Sequence, residues 1–133
     1  MNARFLFAAI VFAVVPATLN AQGPATNLAG KWPNGEWQNS SNSHHGPLHA
    51  NFTQVSDSQY RVTFGGRFAK VIPFRYTVVL NVIGSSADGT TYLAGNSKLP
   101  FFGNFQYDAV ATPNAIETRY QSKKYTGKFL LSR

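Results

Sequence analysis

Apolar and polar side chains alternate with a period of two over most of the chain. Tyr60, Val62 and Phe64 interleave with Arg61 and Thr63. Between Phe74 and Ile83, one face holds Phe74, Tyr76, Val78, Leu80 and Val82, and the other Arg75, Thr77, Val79, Asn81 and Ile83. The alternation recurs from Leu48 to about Val55, over Phe105–Ala111, from Ile116 to Gln121 and from Tyr125 to Leu131. Successive side chains of a β-strand point to opposite faces, so each run predicts a half-buried strand. Gly35–Gln38 and Thr91–Ala94 bring the set to about eight short strands. Turn residues separate them: a polar Asn39–Ser43 loop, Ser56-Asp57-Ser58, Gly65-Gly66, Asp88-Gly89 and Pro113-Asn114,. Gly65-Gly66 is expected to end its strand. No window after the first 21 residues has helical periodicity. The expected fold is all-β: a single small antiparallel meander barrel, whose closure removes both sheet edges. A two-sheet sandwich is the alternative.

The start of the chain has a different pattern. Arg4 precedes an apolar run from Phe5 to Val15, Pro16 breaks it, and Ala21 closes a short polar stretch. That order predicts a secretory signal peptide over residues 1–21, with cleavage after Ala21, and the apolar run is short for a bilayer span. Residues 22–29 read as a flexible leader and 30–133 as one all-β domain, since the 112 residues left suffice for one core,. The expected location is secreted or periplasmic. Cysteine is absent, so stability must come from burial and sheet hydrogen bonds. With Arg4 removed, eleven basic residues face five acids, a net charge of +6 that favours anionic partners,.

Gly30-Lys31-Trp32 and Gly35-Glu36-Trp37 place glycine, any residue and tryptophan at the first strand, and Gly127–Arg133 closes on an arginine. This pairing resembles the lipocalin or calycin type of barrel, where an N-terminal tryptophan packs under a late basic side chain. The resemblance implies a barrel with Trp37 and Arg133 as its closing pair, a guanidinium over an indole. His44-His45-Gly46-Pro47-Leu48 and the Gly65–Tyr76 segment resemble a group of short exported bacterial proteins. That resemblance implies export and carries no activity.

Candidate chemistry is sparse. His44, His45 and His49 fall within six residues, but Gly46-Pro47 prevents a helix, and an extended chain sets His45 and His49 about 13 Å apart. They are weak metal candidates, so neither metal nor cofactor is expected. The five acids are explained by turns and strand surfaces, and no acid–base pair or nucleophile elbow is present,. No catalytic residue is assigned. More distinctive is a near-repeat, Lys70-Val71-Ile72-Pro73-Phe74 and Lys98-Leu99-Pro100-Phe101-Phe102, each placed between predicted strands. Apolar groups in a connection are either covered or mark a contact surface. Phe68, Lys70, Phe74, Arg75, Lys98, Phe101 and Phe102 are therefore the candidate ligand-binding residues.

The expected function is that of a non-enzymatic, monomeric binding module for a lipid or other amphipathic, anionic small molecule, or for an anionic envelope polysaccharide. A structural or protein-interaction domain of the cell envelope is the alternative, and a hydrolase is third. Nucleic acid is disfavoured by export, and no transmembrane segment is expected after cleavage.

Overall fold

A computed structural model describes residues 26–69, 71–99 and 103–133. The expected signal peptide, residues 22–25 of the leader, and Lys70, Phe101 and Phe102 lie outside the described residues. The strands are β1 (Gly30–Trp32), β2 (Asn34–Asn39), β3 (His45–Ser56), β4 (Gln59–Phe68), β5 (Ile72–Ser85), β6 (Thr91–Leu99), β7 (Gly103–Ala111), β8 (Ala115–Gln121) and β9 (Thr126–Ser132). All pairings are antiparallel and join chain neighbours, except those of β2 with β9 and of β1 with β3. The result is a closed eight-stranded meander barrel with β1 as an additional strand on β3. No helix among the described residues is long and apolar enough to cross a membrane.

The short β1 arises from Pro33. Proline has no N–H to give to a ladder, and the pairing with β3 slips there by one residue: Trp32 faces Ala50, whereas Glu36 faces Pro47. β4 runs straight through Gly65-Gly66, which pair with His49 and Leu48 on one side and with Arg75 and Phe74 on the other. The expected break is absent because the missing side chains leave room for neighbours: a β-carbon on Gly65 would collide with the His49 ring, and one on Gly66 with Phe74.

Even-numbered positions of β3, β4 and β5 and odd-numbered positions of β7 point inward, as the period-two pattern requires,. One end of the barrel is packed solid. Leu28, Trp32, Phe52, Tyr60, Val62, Ile116 and Leu131 are all buried there or beside it. Residues 26–29, read from sequence as leader, belong to this plug, because Leu28 is apolar and the barrel end gives it cover. Leu28 N donates to Tyr60 Oη at 3.1 Å, Trp32 Nε1 donates to Leu28 O at 2.9 Å, and Thr26 N donates to Thr91 Oγ1 at 3.1 Å. The β5–β6 turn at this end holds Gly89 at φ +88°. Its Asp88 carboxyl is held down at about 2 by hydrogen bonds from Ser86 and Thr90.

Candidate functional site

The opposite end is hollow, and the reason lies in the residues that point into it. Inward positions there alternate between aromatics and glycines that face each other across the ladders: Trp37 opposite Gly46, Phe74 opposite Gly66, Tyr120 opposite Gly127. A β-carbon on Gly46 would lie 2.7 Å from Trp37 Nε1, and one on Gly66 would lie 2.7 Å from Phe74 Cζ. Each large ring therefore lies back over a bare stretch of wall instead of filling the lumen. The space left is a cavity of about 440 Å³, within the range of small-molecule sites.

Its wall is almost wholly aromatic. Among the described residues, Trp37, Phe68, Phe74, Tyr76, Phe105, Tyr120, Tyr125 and Phe129 line it together with Leu99, and Asn39 and Arg75 add other polar groups. The rings hold one another in place. Phe68 and Phe74 have centroids 4.6 Å apart, Trp37 meets Phe68 edge-on at 5.2 Å, and Tyr120 and Phe129 are 5.0 Å apart. Trp37 is further fixed by its Nε1–H, which donates to Arg67 O at 3.0 Å.

The polar groups inside are phenols. Tyr120 Oη donates to Gln38 O at 2.9 Å, Tyr107 Oη and Ser97 Oγ share a hydrogen bond at 3.0 Å, and Tyr76 is bonded to Tyr107. Burial pushes the Tyr76 phenol well above its ordinary value, and the adjoining Tyr107 and Tyr120 add to the effect. Burial also raises Tyr107, partly offset by its bonds to Ser97 and Tyr76, and raises Tyr120 to about 12, with Tyr107 contributing. At neutral pH the cavity is thus an aromatic cup with uncharged phenolic hydroxyls in its wall, and Arg75 is the cation among its described lining residues.

Three of the candidate residues meet at the cavity: Phe68, Phe74 and Arg75. Lys98 does not, because it falls on the outward phase of β6 and is exposed, whereas its neighbour Leu99 lines the cavity. The closing pair is corrected. Arg133 stands over Trp32, with Cζ 4.1 Å from the ring centre, while Trp37 lies on β2 near the far end. Trp32 takes that role because it is on the same barrel end as the last residues of β9. The histidines stay apart from the cavity. His45 Nδ1 is 2.9 Å from Glu36 Oε2, and His49 covers Gly65 on the outer face. No group of three potential metal ligands converges among the described residues.

Sequence reasoning missed Trp37, Asn39, Tyr76, Leu99, Phe105, Tyr120, Tyr125 and Phe129 as cavity residues. The usable signal was the inward phase of Gly46, Gly66 and Gly127, each opposite an aromatic in a register that only pairing reveals. A second hollow, of about 450 Å³, lies outside on β7–β9 over Val110 and Leu130. Glu117 and Arg119, 3.4 Å apart, form part of its edge.

Compared with known proteins, the chain matches no family model, no curated protein and no solved structure. What the barrel does is therefore read from the cavity itself.

Proposed function

We propose that this chain is an exported, non-catalytic carrier of a lipocalin-like kind, which holds an apolar or amphipathic anionic small molecule in the open end of its barrel. The observation that carries the reading is the 440 Å³ aromatic cavity with Arg75 at its lip. Desolvating an apolar tail against eight aromatic rings supplies the affinity,. A carboxylate or sulfonate at the outer end of the ligand meets the Arg75 guanidinium, which presents a planar fork of donors. The phenols of Tyr76 and Tyr120 offer hydroxyls to a polar atom deeper in the molecule. The solid end leaves one way in, so the ligand's apolar portion enters first and its charged group stays outward.

The test uses 1-anilinonaphthalene-8-sulfonate, which is itself apolar at one end and anionic at the other. Fluorescence titration is expected to saturate at one probe per chain and to be reversed by dodecanoate. Leu99→Trp, which fills the cavity without changing charge, is expected to weaken probe binding at least tenfold. Arg75→Gln is expected to weaken the anionic probe more than an uncharged naphthalene. Probe binding that never saturates, or that Leu99→Trp leaves unchanged, overturns the reading.

A further inference from the structure

The two ends of the barrel differ in charge as well as in packing. Asp57 lies in the β3–β4 turn and Asp88 in the β5–β6 turn, both at the solid end. None of the four connections at the hollow end contains an acid. That end instead carries Arg67, Arg75 and Lys98 near its strand termini and Lys123-Lys124 in the β8–β9 turn, all exposed. The nearest acid, Glu36, is engaged by His45.

Within this basic rim, the β4–β5 connection projects apolar side chains into solvent. Val71 is 74% exposed, Ile72 57% and Phe68 38%. The strand ends are tied together there: Val71 N donates to Phe68 O at 3.0 Å, and Ala69 has φ +50°. A β-branched pair at the end of a hairpin is left largely without cover by the described residues, and scattered single apolar residues would not fall together in this way,.

We infer that the hollow end docks onto a lipid bilayer surface containing anionic headgroups, with Val71 and Ile72 inserted at the boundary between headgroups and acyl chains and the basic rim on the headgroups. A soluble polyanion would use the cations but gains nothing from two exposed aliphatics, whereas a bilayer interface rewards both together. At the solid end Arg61 and Arg133 offset the two aspartates, whereas the mouth carries an excess of cations, so the mouth is the end drawn to the anionic surface,. Docking does not require the cavity to be occupied, so it stands or falls apart from the carrier reading.

Cosedimentation with vesicles of phosphatidylcholine alone and with 30 mol% phosphatidylglycerol tests the inference. The full chain and its variants share everything outside the substituted positions, so differences among them report the rim. Binding is expected to the anionic vesicles and to fall steeply between about 0.1 and 0.5 M salt. Val71→Asp with Ile72→Asp is expected to cost at least tenfold in partitioning. Lys123→Glu with Lys124→Glu is expected to cost about fivefold or more per residue. Lys31→Glu with Arg61→Glu, which changes net charge equally at other positions, is expected to cost much less. Thermal unfolding of each variant separates lost docking from lost folding. Equal losses from the two charge-reversal pairs would sink the inference. So would binding to dextran sulfate as tight as to vesicles and indifferent to Val71 and Ile72, which would assign the rim to a polysaccharide.

Discussion

The ring of Phe74 occupies the space that a β-carbon on its ladder partner Gly66 would need, 2.7 Å from Cζ. The glycine thereby sets both the wall and the lumen: it admits the ring sideways and keeps the cavity open. Gly66→Ala forces both the Pro47 carbonyl and the Phe74 ring to move. The expected cost is about 1–3 kcal/mol, the usual range for overpacking. A displaced Phe74 also intrudes on the cavity, so probe affinity is expected to fall with stability. Thermal unfolding and probe titration of one variant check both, and unchanged values for both would remove the glycine from this role.

Alkaline pH is expected to loosen the hollow end. The Tyr120 phenol titrates at about 12 in the folded chain, above its ordinary value of about 10,. A folded-state pKa raised in this way means that the neutral phenol's contribution is complete below pH 10 and is lost as pH climbs toward 12. Tyr120→Phe loses the hydrogen bond to Gln38 O, so it should be less stable at pH 7, by about 1 kcal/mol. Its stability should then decline less than the parent's between pH 10 and 12. Urea midpoints at pH 7, 10 and 11.5 give the comparison, and parallel declines would count against burial of this phenol as the cause.

Thr118 is an inward residue of β8, 1% exposed, whose hydroxyl has no hydrogen-bond partner among the described residues. A buried hydroxyl left without a partner costs about 1–3 kcal/mol. Thr118→Val keeps the branched shape and removes that cost, so it is expected to stabilise the barrel by about 1 kcal/mol. Denaturant unfolding at constant m-value is the measurement. A loss of stability would show that the hydroxyl is satisfied after all.

Much of the fold was legible because one face of every long strand is buried. Tyr60-Val62-Phe64 and Phe74-Tyr76-Val78-Leu80 announce their inward phase directly, and the structure keeps it. Gly65-Gly66 misled because glycine pairs read as turns, whereas here the ladder neighbours fill the vacated space. Lys98 misled because a repeat of residue types says nothing about phase, and it sits one position out from Leu99. The choice between two Gly-x-Trp motifs depended on which tryptophan shares an end with Arg133. That is set by the Pro33 interruption and by register, neither of which appears in composition.

Arg133 anchors the solid end through more than the Trp32 face. Its Nε donates to Pro113 O at 3.0 Å, Nη1 to Ala29 O at 3.1 Å and Nη2 to Asn27 O at 2.8 Å. Arg133→Ala removes a cation–π contact and all three bonds, with an expected loss of about 1–3 kcal/mol. Arg133→Lys should recover only a minority of it, because an ammonium lacks the planar fork that reaches three carbonyls. Chemical denaturation of both variants decides this, and full recovery by lysine would reduce the interaction to charge alone.

The interrupted first strand has a consequence for how these barrels meet one another. β1 has one strand partner among the described residues, so the chain leading into it has carbonyls on the side away from β3. Unpaired carbonyls of this kind template the addition of a strand from a second molecule, the usual start of edge-to-edge aggregation. Here the Ala29 and Asn27 carbonyls already hold the guanidinium of Arg133. An intruding strand would have to displace a charged, multiply bonded group before it could pair with these two carbonyls.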